Sequence, residues 1–127
     1  MKRTYVLISL FTLASILTLK AQVTAAEKQA LKDLYDATNG PNWATETDGN
    51  ISDDWDFLGN VTSAWYGVTV QDGHVVQLDL EFNQLMGTLP SSIGNLVHLT
   101  FLNLSTNALT GSIPNEIQNL VALQTFD

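Results

Sequence analysis

Leucines and isoleucines in the second half of the chain recur at fixed positions 24 residues apart. Leu78 and Leu80 alternate with polar Gln77, Asp79 and Glu81, and Leu102 and Leu104 repeat the alternation one period later. Leu85 is matched by Leu109, Ile93 by Ile117 and Leu96 by Leu120. Asn83, Gly87 and Pro90 are matched by Asn107, Gly111 and Pro114. Eleven of the 24 positions in 76–99 carry the same residue one period on. A fixed period of this length marks a solenoid of stacked coils.

The spacing inside one period predicts the shape of a coil. Apolar residues two apart send Leu78 and Leu80 inward from a short strand, with Gln77, Asp79 and Glu81 outward. Asn83 and Asn107 follow where the chain leaves the strand. An inward asparagine there can bond the backbone groups freed by the bend, and stacked asparagines can form a ladder. Gly87 and Gly111 mark the next change of direction, and Pro90 and Pro114 fix φ without donating a hydrogen bond. Ile93 with Leu96, and Ile117 with Leu120, are three apart, which suits a turn of 3₁₀ or loose helix.

Upstream, the period changes. Thr24 to Asn39 reads as one helix, opened by a Thr24–Glu27 capping box and closed by Asn39-Gly40-Pro41. Ala30, Leu31, Leu34 and Tyr35 form its apolar face. It is expected to lie as a lid over the open end of the first coil. Residues 42 to 67 are rich in loop formers and hold all three tryptophans, Trp43, Trp55 and Trp65. Val68 to Leu80 then reads as a hairpin closed at Asp72-Gly73, leading into the first repeat strand.

The pattern L-x-L-x-x-N-x-L-x-G-x-[LI]-P-x-x-I runs from Leu78 to Ile93 and again from Leu102 to Ile117. It resembles the plant-type leucine-rich repeat of receptor ectodomains, secreted inhibitors and bacterial surface proteins. The resemblance covers roughly residues 27 to 127. It includes an N-terminal cap signature in Ala30-Leu31, Leu34-Tyr35, Thr38, Gly40, Trp43 and Trp65-Tyr66-Gly67-Val68. Plant members usually place a cysteine pair around the last motif, where this chain has Ser63 and Val70. The cap is therefore expected to be held by aromatic burial alone, as in a bacterial or other non-plant version. The fold class implied is α/β, a leucine-rich-repeat solenoid with a helical N-terminal cap whose third repeat breaks off within its strand. The domain plan is 1–22 signal peptide, 23–74 cap, and 75–127 repeats.

Charge and targeting sharpen this plan. Lys2 and Arg3 precede an apolar run from Val6 to Leu19, the length of a signal-peptide core and short for a membrane span. A product starting at Val23 keeps Lys28 and Lys32 against 13 acidic residues, a formal charge of 2 − 13 = −11. Such a surface repels phosphate backbones and anionic lipid, which excludes nucleic acid as a partner. The expected localisation is secreted or cell-surface. There is no cysteine, hence no disulfide, thiol nucleophile or thiolate metal cluster.

Candidate chemistry is sparse. His74 falls at a turn and His98 just before a strand, and without a surrounding motif both read as surface residues. No phosphate-cradling glycine loop, G-x-S-x-G or H-E-x-x-H occurs, so neither catalysis, cofactor nor metal is expected. Asp48, Asn50, Asp53, Asp54 and Asp56 form an acidic loop whose spacing fails the calcium-loop pattern, and it reads as solvated. The tryptophans offer a carbohydrate platform only if their faces are exposed. Asn50, Asn60 and Asn103 begin glycosylation sequons.

What the fold offers is a surface. Outward strand positions of neighbouring coils lie roughly 4.7–4.9 Å apart. They align Gln77, Asp79, Glu81 and Phe82 with Phe101, Asn103, Ser105 and Thr106, followed by Thr125 and Asp127. The resemblance implies that this concave face binds a protein or peptide. Asn83, Asn107, Gly87, Gly111, Pro90, Pro114, Trp43 and Trp65 are assigned to structure. The expected function is recognition, as the N-terminal part of a longer receptor-like or surface protein. An inhibitor of an extracellular hydrolase and a truncated remnant are the alternatives. Phe126 stands at the strand position of Leu78 and Leu102, and a bare strand edge there invites self-association.

Overall fold

The computed structural model describes residues 21–43 and 55–127. The apolar run Val6 to Leu19, read from the sequence as a signal-peptide core, and most of the acidic loop, Asp48 to Asp54, lie outside the described residues. Helix α1 (Ala25–Ala37) begins as its capping box requires. The Thr24 hydroxyl accepts from the Glu27 amide, and the Thr24 amide donates to the Glu27 carboxylate. The helix ends where the Thr38 amide and hydroxyl both donate to the Leu34 carbonyl. Asn39 then turns left-handed, with φ at 63°, into a 3₁₀ turn at Gly40–Asn42.

The hairpin forms as the Asp-Gly signal predicts. Strands β1 (Val68–Gln71) and β2 (His74–Asp79) pair antiparallel around Asp72 and Gly73, both at positive φ, as a two-residue turn of the primed kind demands. Strand β2 pairs parallel with β4 (Phe101–Asn103), and β4 with β6 (Thr125–Phe126). Leu78 aligns with Leu102 and Leu102 with Phe126, so the ladder reproduces the 24-residue offset of the sequence. Strands β3 (Met86–Thr88) and β5 (Ala108–Thr110) form a second, two-stranded parallel sheet. The 3₁₀ turns Ser91–Asn95 and Asn115–Asn119 complete the coils.

Leu78, Leu80, Leu85, Ile93, Leu96, Leu99 and Leu102 are fully buried in one shared interior. α1 packs against the Ser91–Asn95 turn, which packs against Asn115–Asn119. The helix thus stands as the first member of the row of helical turns, beside the coil rather than only across its end. Gly87 makes this approach possible. Its φ is 125°, and a Cβ there would run into the Ala37 carbonyl at the end of α1.

The two asparagines do not stack as a ladder. Asn107 Oδ1 accepts from the amides of Asn83 and Leu85, while its Nδ2 donates to the carbonyls of Leu80, Leu104 and Ser105. It therefore ties the second coil to the backbone of the first. Asn83 is just as deeply placed, at 1% exposure, yet neither polar atom of its side chain has a partner among the described residues. The difference is directional: three of the five bonds of Asn107 reach the coil before its own, whereas the element that precedes the coil of Asn83 is the cap.

Aromatic burial holds the cap, but not by itself. Trp43, Trp55 and Trp65 are at most 4% exposed and pack with Tyr35 and Phe57 at ring separations of 5.0–6.3 Å. The indole N–H groups of Trp43 and Trp55 donate to the carbonyls of Thr38 and Tyr66. With their faces covered, the tryptophans offer no stacking platform for a sugar. The expectation of aromatic packing alone needs one correction. Ser63 Oγ accepts from the Val70 amide at 2.8 Å, so a hydrogen bond links the two positions where plant-type caps usually carry the cysteine pair. Lys28 adds a second tie, donating to the Gly59 carbonyl at 2.6 Å.

Candidate functional site: the concave strand face

The left edge of the concave face is built by the hairpin and the centre by β2 and β4. Outward positions of β2 leave Gln77 and Asp79 exposed, with Glu81 just beyond the strand. Asp79 Oδ1 accepts from the Glu81 amide, and Asn103 Oδ1 accepts from the Ser105 amide. Equivalent residues of successive coils thus make the same side-chain turn.

Past that turn, Phe82 and Thr106 occupy equivalent positions and both adopt left-handed backbone, with φ at 54° and 55°. For a bulky residue this conformation costs on the order of 1–2 kcal/mol. Phe82 carries that strain while presenting its ring to solvent at 64% exposure. Packing therefore does not hold the ring in place, and it points outward as its strand-face position predicts.

Two open clefts meet beside Asp79. The larger, about 650 Å³, is lined by Tyr66, Gly67, Asp79, Glu81, Phe82 and Thr106. The smaller, about 370 Å³, lies among Gly67, Val68, Thr69, Gln77, Asp79 and Phe101. Of the eight residues that the first two coils place on this face, six line the clefts. The other two, Asn103 and Ser105, are engaged with each other: Ser105 Oγ donates to Asn103 Oδ1 at 2.6 Å. Asn103 also reaches Glu81 through Nδ2 and is only 9% exposed. That burial removes it from the accessible surface, as a contact and as a glycan acceptor alike.

Tyr66, Gly67 and Thr69 were not assigned to the face from sequence. They reach it because β1 folds back antiparallel onto β2, and the Asp79 amide donates to the Gly67 carbonyl. The hairpin signal was legible, and counting outward positions along β1 as well as β2 identifies Thr69.

A second constellation lies away from the clefts. Glu27, at 2% exposure, accepts from the Val75 amide through Oε1, and its Oε2 lies 3.2 Å from His74 Nδ1. The His74 and His98 rings stack at 3.6 Å between centroids. Both histidines were expected to be isolated at the surface. They meet because residues 74 and 98 are one 24-residue period apart, so adjacent coils place them at the same spot. The 24-residue offset carries that signal, because His74 and His98 obey it as the leucine, isoleucine, asparagine, glycine and proline positions do.

The leucine-rich repeat family model matches residues 74–96 and 98–120. Among solved structures, the chain is similar to that of PEPR1–AtPEP1, with 25% identity and a TM-score of 0.64. The match covers 79% of this chain and 14% of that one. It is similar to a leucine-rich repeat protein from Bacteroides eggerthii at 24% identity and a TM-score of 0.50, covering 75% and 18% of the two chains. A plant ice-binding protein shares 20% identity at a TM-score of 0.55, covering 84% and 40%. The latter two likenesses concern the fold alone. No curated protein matches the sequence. The chain spans well under two thirds of the length of each of these solved chains.

Proposed function

From the premise that this chain is a leucine-rich-repeat solenoid, we propose that it recognises an extended peptide or protein segment on its concave strand face, centred on Phe82. The observation that carries the reading is an exposed aromatic ring in strained backbone above a cleft lined by two carboxylates. Backbone strain concentrates at functional sites, and exposed aromatics anchor interfaces. Leucine-rich-repeat domains typically serve protein–protein recognition, and the PEPR1–AtPEP1 structure is of a related repeat array.

Asp79 and Glu81 add a preference. With no Lys or Arg after residue 32, the face meets its partner with uncompensated negative charge, so a segment bearing Lys or Arg beside an apolar side chain fits best. No catalytic step is assigned. Among the described residues no helix is long and apolar enough to cross a membrane. Secretion, or display at the cell surface as the first part of a longer receptor-like protein, is proposed on the Met1–Gln22 pattern and the acidity of the remainder.

The test is selection from a displayed random-peptide library against the untagged protein. Enriched peptides are expected to carry basic and apolar residues, to bind more weakly in salt, and to lose at least tenfold in affinity to Phe82→Ala or Glu81→Lys. Peptides indifferent to both substitutions would overturn the proposal.

A further inference from the structure

We propose that Glu27, His74 and His98 form a binding site for one divalent transition-metal ion of the zinc class, fastening the cap to the first two coils. Each residue offers a ligand atom, and the three atoms lie within 4.8 Å of one another. Two imidazoles and a carboxylate are the donor set that such ions accept, and water completes a tetrahedral shell.

The spacing fits an ion. Ligands about 2.0–2.1 Å from a tetrahedral centre stand about 3.3 Å from each other. Glu27 Oε2 and His74 Nδ1 are already 3.2 Å apart, and a ring nitrogen of His98 lies within 4.8 Å of both ligand atoms. The two rings are stacked, so the exposed His98 side chain rotates out of the stack to aim its nitrogen at the ion. An ion between them replaces the hydrogen that now bridges carboxylate and imidazole. The imidazole proton then resides on Nε2, and the net charge of the bound site is that of one dication and one carboxylate. The burial of Glu27 is the second argument. Its carboxylate is fixed by Thr24 through both amide and hydroxyl and by the Val75 amide, so the acidic ligand is already oriented. His98 is exposed and His74 half-buried, which leaves the ion a path from solvent.

The position gives the ion a role. Glu27 lies in the first turn of α1, His74 opens β2, and His98 precedes β4. One ion would cross-link three elements in a chain without disulfides, joining residues 47 and 24 positions apart. The period supplies the pair of imidazoles, and the docked cap supplies the carboxylate.

The experiment is zinc titration of the untagged protein by calorimetry, with thermal unfolding in parallel. One equivalent is expected to bind at micromolar or lower dissociation constant. At a hundredfold excess over that constant, Tm should rise by roughly 10 °C. His98→Ala, at an exposed position, should weaken binding at least tenfold while leaving the metal-free Tm and circular dichroism unchanged. His98→Gln serves as a second variant that retains a side chain of similar length. No heat or Tm shift up to millimolar zinc would overturn the proposal. So would wild-type affinity in both His98 variants, because the ion would then reside elsewhere, the acidic loop around Asp56 included.

Discussion

The cap and the repeats solve the same problem by opposite means. In the repeats, one set of positions is used twice, and the coils hold each other through equivalent contacts: Leu78 on Leu102, and Asn107 onto the backbone of the preceding coil. The cap has no copy of itself to stack on. It relies on contacts that occur once: a five-ring aromatic cluster, the Ser63–Val70 hydrogen bond, and a buried glutamate reaching from α1 into the hairpin. Nearest-neighbour stacking makes the energy of a repeat array roughly additive, whereas the cap concentrates its stability in a few side chains.

That contrast predicts an order of effects. Trp43→Ala, which empties a 1%-exposed site and removes the bond to the Thr38 carbonyl, should cost about 3–5 kcal/mol. Urea unfolding followed by circular dichroism measures it, and a loss below about 1 kcal/mol would mean the cap is not held as described. Asn107→Ala comes next. It strips partners from five backbone groups between two coils and should cost about 2–3 kcal/mol. Asn83→Ala, at the equivalent position, should cost less than about 1 kcal/mol because its side chain leaves no bonded group behind. Equal losses would contradict the directional account of the two asparagines.

Ser63→Ala should cost about 1 kcal/mol, the worth of one hydrogen bond, in the same denaturant series. Phe82→Gly has the opposite sign. Releasing a left-handed aromatic should leave stability unchanged or raise it by up to about 1 kcal/mol, while peptide binding on the concave face falls. A residue whose removal stabilises the fold but weakens binding is kept for the binding.

Legibility followed the same division. The coils could be read because each inference was checked one period later: the strand alternation at Leu78 and Leu80, the turn after Pro90 and the register with Phe126 all follow from the offset. The capping box was legible too, since Thr24 and Glu27 are local. What the sequence did not yield depends on docking between distant segments. No local rule says that Glu27, after capping its own helix, also meets Val75 and His74, or that Ser63 bonds Val70. Tyr66 and Gly67 joined the concave face for the same reason, through the return of β1 onto β2. The His74–His98 stack is the exception. It lies in the period, and is legible once histidine is counted as a repeat position as well as a candidate for chemistry.

The concave face is the centre of the functional account, and nuclear magnetic resonance tests it most directly. A library-selected peptide titrated into isotope-labelled protein should shift the amides of Gln77, Asp79, Glu81, Phe82, Phe101 and Thr106, together with Tyr66 and Gly67. Shifts confined to the opposite row, α1 with Ser91–Asn95 and Asn115–Asn119, would show that the protein binds through its convex side and would contradict the assignment.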